Sequence, residues 1–219
     1  MHYLLQDVRN SLEMKNYYAA LALSLSLIDM CGGIDNNGNS CEENYINWAE
    51  NYLLKYFEQR LLDDDNFLIT SSGVIQNTEL FFNINEVRAE FNRCIMSALY
   101  QLRCKFLHLG KGVFSEESSN TYVSEFELYT EDFPNGDEHC EKIPYRLLNK
   151  NNSNHVIIGL SVVNLCEFIC KAVENWLLAA EGNKKIKSQL NKMIKIYEPY
   201  DLIGHNGNTM KIIGKPPPK

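Results

Sequence analysis

Arg103 and His108 are the residues of this chain whose types and spacing could carry a reaction. An arginine is a permanent cation with five fixed N–H donors, and a histidine exchanges a proton near neutral pH. Together they supply what proton transfer beside a developing negative charge requires. They lie in Ala98-Leu-Tyr-Gln-Leu-Arg-Cys-Lys-Phe-Leu-His-Leu-Gly-Lys-Gly112, with Cys104 and Lys105 as supporting residues between them.

The element that must position them is a long helix. From Glu86 to Leu109 apolar residues recur at Val87, Phe91, Cys94, Ile95, Ala98, Leu99, Leu102, Phe106 and Leu109. That is the three-and-four spacing of one buried face. Asn85 is the predicted N-cap, and Gly110 with Gly112 the stop. Such a helix is about 36 Å long. His108 falls in its last turn, where the helix dipole favours imidazolium. Five residues set Arg103 and His108 roughly 140° apart around the axis, so they do not meet on one straight helix. They converge if the last turn unwinds at Gly110, or if two copies of the helix face each other across a symmetric dimer.

A second helix is expected from Tyr17 to Cys31, capped by Asn16 and closed by Gly32-Gly33. It is apolar almost all round, the pattern of a central buried helix. Asp29 is its one charge. A buried carboxylate is costly unless paired, and the guanidinium of Arg103 is the predicted partner. At an exposed helix end Asp29 would need none.

These two blocks, Tyr18-Ala-Ala-Leu-Ala-Leu-Ser-Leu-Ser-Leu-Ile-Asp-Met-Cys-Gly32 and Tyr100-Gln-Leu-Arg-Cys-Lys-Phe-Leu-His-Leu-Gly110, resemble the HEPN superfamily, specifically a set of uncharacterised small bacterial HEPN-like proteins. The likeness covers roughly residues 15 to 112. HEPN proteins are helical bundles whose ribonuclease members carry Arg, four to six residues, then His, and Arg103-Cys-Lys-Phe-Leu-His108 has that form. Those nucleases commonly have Asn, Asp or His directly after the arginine, where this chain has Cys104. The resemblance implies a homodimer with two copies of Arg103 and His108 across a cleft. His108 would act on the ribose 2′-hydroxyl or the leaving 5′-oxygen, and Arg103 would stabilise the phosphate, with no metal or other cofactor. It also implies an RNA substrate, a 2′,3′-cyclic phosphate product, and a role in phage defence or a toxin–antitoxin system. The alternative is a non-catalytic HEPN-like module that dimerises or binds an antitoxin or nucleotidyltransferase partner. There Asp29 and Arg103 form a structural pair and His108 caps its helix. Cys104 and the acidity of the chain favour that alternative.

The net charge of −7 argues against a general nucleic-acid coat protein but leaves room for a local basic pocket. Apolar residues at 45% supply a proper core. Seven cysteines without paired spacing fit a reducing compartment, and Cys166 with Cys170 are expected to be core residues rather than metal ligands. No secretory leader is evident, and the longest apolar run, Ala19 to Met30, is short of the ~20 residues of a membrane span. A cytoplasmic protein is expected.

The expected architecture is mainly α, one helical domain over 1–198 with a small β insertion at about 121–160, then a loop and tail over 199–219. A short first helix spans 3–14. Asp35-Asn-Asn-Gly-Asn39 is a turn-rich loop. Ser40 and Glu43 have capping-box spacing ahead of a third helix through Tyr45, Trp48, Ala49, Tyr52, Leu53 and Phe57, whose aromatic stripe is read as core rather than a base-stacking surface. Asp63-Asp-Asp-Asn66 is an acidic loop, and the short apolar runs of 67–82 have no assignment. Strands are expected at 121–130, 143–148 and 155–160, with a turn at Pro134 and with His139 and His155 as surface or sheet residues. Val162, Cys166, Ile169, Val173, Trp176 and Leu177 trace the helix that closes the bundle. A last helix over 186–197, with Lys184, Lys185, Lys187, Lys192 and Lys195, makes the C-terminal part basic, as do Lys211, Lys215 and Lys219. A solvated lysine face accounts for them more simply than a phosphate track.

Overall fold

The computed structural model describes residues 1–58, 67–70, 73–76, 84–109, 123–130, 145–149 and 156–193. The expectations placed on Asp63–Asn66, Gly110, Gly112, Pro134, His139, His155, Lys195 and the tail lie outside those residues. Among the described residues the chain is mainly helical. Helix α1 (His2–Glu13) turns through Lys15, which takes the left-handed conformation, into α2 (Tyr17–Asp35). Asn16 caps α2 as expected, its Oδ1 accepting from the Ala19 N–H at 3.4 Å.

Helix α2 is the centre of the bundle and lies against α1, α6 (Val162–Ala179), α3 (Glu42–Tyr52) and α5 (Ile84–Leu109). Its side chains Leu21, Leu25, Leu27 and Ile28 are all 1% exposed or less. Each such burial contributes about 1.5–3 kcal/mol. By length and composition this 19-residue helix is also apolar enough to cross a membrane, contrary to the expectation from its shorter apolar run. Its buried positions face the helices around it.

Two local expectations fail where α2 meets α3. The glycines do not end α2 at Cys31; it runs through them to Asp35. A Cβ on Gly32 would stand 2.6 Å from the backbone oxygen of Asn44, so glycine is required there for packing. Nor does Ser40 cap α3. Cys41 is the N-cap residue and supplies no side-chain bond.

The aromatic stripe of α3 is core: Tyr45 and Trp48 are buried, and Trp48 meets Trp176 of α6 edge-on at 6.4 Å. Trp176 donates to Asp35 Oδ1 at 2.9 Å, tying α6 to the end of α2. Beyond α3 the chain breaks at Leu53-Leu54 and makes one more turn, α4 (Lys55–Glu58). The stretch without an assignment contains a hairpin, β1 (Phe67–Thr70) antiparallel to β2 (Gly73–Gln76). Helix α5 starts at Ile84, so Asn85 falls in its first turn instead of capping it.

Between α5 and α6 lies the β insertion. Strands β3 (Val123–Tyr129), β4 (Tyr145–Asn149) and β5 (Val156–Ser161) form a sheet of order β3-β5-β4, with β5 parallel to β3 and antiparallel to β4. Ser161 ends β5 and caps α6, accepting from the Asn164 N–H at 3.4 Å. Cys166 and Cys170 are core residues of α6, and burial pushes their thiols up to about 12 and about 11. Helix α7 (Lys184–Asn191) buries Ile186 and leaves Lys184, Lys185 and Lys187 exposed.

Adjacent glycines of α2 should respond oppositely to substitution. Gly33 has 3.7 Å to its nearest neighbour, an ordinary contact, so Gly33→Ala gains helix propensity. Gly32→Ala forces α3 away and should be about 1–3 kcal/mol less stable than Gly33→Ala in urea unfolding. Equal stability of the two variants would show that α2 and α3 do not approach this closely.

Candidate functional site

Ile95, Met96, Ala98, Leu99 and Leu102 form the buried face of α5. Arg103 follows Leu102 and stands one turn beyond Leu99, which places it at the rim of that face. Asp29 occupies the matching place on α2, after Ile28 and one turn beyond Leu25. The two rims meet. Arg103 Nη2 lies 2.5 Å from Asp29 Oδ2, with the side chains 22% and 17% exposed. The partner expected from sequence is the partner found, and the reading of Asp29 as a free charge at an exposed end is set aside.

The other carboxylate oxygen is also occupied. Ser40 donates its hydroxyl to Asp29 Oδ1 at 2.5 Å, which is what it does in place of capping α3. Arg103 Nη1 points at the sulfur of Cys104 at 3.7 Å, a weak acceptor. Its Nε–H is buried and has no partner among the described residues. Burial works against the guanidinium charge, but the Cys104 sulfur and the Asp29 carboxylate outweigh it, and the Arg103 pKa stands above its usual value.

Two tyrosines complete the cluster. Tyr45 of α3 is 1% exposed, and its ring meets Tyr100 of α5 edge-on at 5.3 Å. Burial, then the Asp29 charge, push the Tyr45 phenol well above its ordinary range. Tyr100 is raised by burial and by its contact with Cys104. Sequence reasoning assigned Tyr45 only to the core stripe and missed that its hydroxyl end faces the ion pair. Ser40 was misread because its spacing to Glu43 fits a local cap equally well.

Of the predicted site residues, the structure brings together Asp29, Arg103 and Cys104. Lys105 is half-buried on α5. His108 lies in the final turn of α5, as expected, and its side chain is outside the described set. Five residues of helix carry its backbone about 7.5 Å beyond that of Arg103 along the axis. The N-terminal half of the α3–α5 seam is acidic: Arg93 reaches Glu43 at 2.8 Å and Glu50 at 3.6 Å. Chemically the cluster presents a clamped guanidinium, close to neutral with its carboxylate, whose most weakly engaged donor besides the buried Nε–H is Nη1. Comparison of the chain with family models, with curated proteins and with solved structures finds no match in any of the three.

Asp29→Ala, Arg103→Ala and the double variant measure what the pair contributes. With both groups less than a quarter exposed, their coupling should be about 1.5–3 kcal/mol in a double-mutant cycle of unfolding free energies. A coupling below about 0.5 kcal/mol would place the pair with ordinary exposed ion pairs.

Proposed function

We propose that this chain is a HEPN-like, metal-independent endoribonuclease that works in the cytoplasm as a homodimer, in phage defence or in a toxin–antitoxin system. One observation carries the reading. Asp29 holds Arg103 at a seam still partly open to solvent, on the same helix that carries His108 in its last turn.

His108 takes the proton of the ribose 2′-hydroxyl as its oxygen attacks phosphorus, or gives one to the 5′-oxygen as the P–O5′ bond breaks. Arg103 meets the charge that grows on the phosphate oxygens. The products are a 2′,3′-cyclic phosphate and a free 5′-hydroxyl, so no metal, water or other reactant is consumed in the step. Lys105 adds positive charge on the same turn as Arg103. Asp29 does not touch substrate; it orients the guanidinium, which lowers the entropy lost when phosphate arrives.

A second reading has its own support: a non-catalytic module that dimerises or binds an antitoxin or nucleotidyltransferase. Arg103 is already engaged by Asp29 and Cys104 within the fold, and the chain carries a net charge of −7.

RNA cleavage in EDTA by the purified protein separates the two. Wild type should cut, leaving cyclic phosphate ends. Arg103→Ala and His108→Ala should each lose at least about a hundredfold in rate, with unchanged circular dichroism. Inertness of all three on varied RNAs would discard the enzyme and favour the partner-binding module. Equal cutting by all three would mean that the activity lies elsewhere.

A further inference from the structure

The seam between α2 and α5 has an aromatic end as well as a charged one. Tyr18, in the first turn of α2, lies parallel to and offset from Phe106 of α5, with ring centroids 5.9 Å apart and planes 6° from parallel. Phe106 is half-buried and packs on the core, whereas Tyr18 is 77% exposed. One ring is therefore anchored and backs the other, whose outer face is open. Tyr18 buries little apolar surface for the fold, so core packing does not explain a large aromatic there.

Its position relative to the charged end is specific. Phe106 follows Arg103 by three residues, one helical turn, and precedes His108 by two. Lys105 lies between Arg103 and Phe106, and Lys15 is exposed in the turn leading to Tyr18. An exposed aromatic face with lysines close to it in the chain, at Lys15 and Lys105, combines the two components with which proteins hold single-stranded nucleic acid, ring stacking and backbone charge.

We infer that Tyr18 is a base-stacking residue: an unpaired base of single-stranded RNA lies on its open face, at the other end of the seam from the phosphate that Arg103 meets. The inference rests on RNA being the ligand of this site, and not on its being cut. Stacking tolerates any base, so Tyr18 contributes affinity and position and little sequence preference. The aromatic ring is required, and the phenolic hydroxyl is not.

Binding of a short, fluorescently labelled single-stranded RNA of mixed sequence tests this by anisotropy, in EDTA and in a His108→Ala background that prevents cutting. Tyr18→Ala should weaken binding roughly ten- to hundredfold, and Tyr18→Phe should bind within about twofold of the parent. Unchanged affinity in Tyr18→Ala overturns the inference. So does a loss that Tyr18→Phe fails to rescue, or a parent that binds no RNA. Sedimentation of the same proteins covers the competing occupant: a change of oligomeric state in Tyr18→Ala, with RNA affinity intact, assigns this ring to a contact between copies of the chain. The expected binding pattern in a protein whose wild type never cuts would sink the nuclease and leave the stacking role standing. Cutting by wild type with undiminished binding by Tyr18→Ala would do the reverse.

Discussion

The charge of Asp29 has to be met on a helix that runs through the middle of the bundle. Most of the length of α2 is in contact with other helices. A carboxylate at the rim of that surface loses hydration and must recover it from the protein. Arg103 and Ser40 each take one of its oxygens. The first bond fastens α5 to α2, and the second fastens the α2–α3 turn to the same point. Gly32 lets the start of α3 come close to α2 beside them. The charged cluster thus joins three helices where apolar contact alone would join them without direction.

That arrangement sets the terms for any anion reaching the cluster. A guanidinium matched by a carboxylate exerts little attraction at a distance, and the acidic chain adds none. Binding must therefore come from short-range donors that the fold leaves weakly used. Nη1 of Arg103 is such a donor, because thiol sulfur is a poor acceptor and gives way at small cost. Cys104, read from sequence as a departure from the nuclease pattern, has this second consequence: a stronger acceptor in its place would compete with phosphate.

The pairing of Asp29 with Arg103 was legible because one charge in an apolar run leaves few solutions. The Asn16 cap and the buried face of α6 were legible for similar reasons, each being a local rule with nothing opposing it. Gly32-Gly33 misled because a helix stop and a close helix–helix approach ask for the same residue, and only the fold distinguishes them. Ser40 misled because its hydroxyl donates to a carboxylate eleven residues earlier in the chain, whereas a cap would use the same oxygen to accept from a backbone N–H. The clustering of Tyr45 and Tyr100 around the pair was not legible at all. Tyr45 read as a core position and Tyr100 had no role assigned, and it takes the packing of α3 on α5 to bring the two rings together beside Arg103.

The Asp29–Arg103 pair also favours one of several similar packings of α5. Its apolar pattern repeats every three or four residues, so sliding it by one turn along α2 would still present a buried face. Apolar contact distinguishes such registers only weakly, through the fit of individual side chains. A one-turn slide is 5.4 Å, enough to part Arg103 from Asp29 and Arg93 from Glu43. Asp29 and Arg103 would then stand less than a quarter exposed and unpaired, which is the costly outcome for charges in such surroundings. The same slide would carry Phe106 off Tyr18. The register that satisfies the charges is therefore also the one that builds the paired rings, and the two ends of the seam are consequences of a single fit.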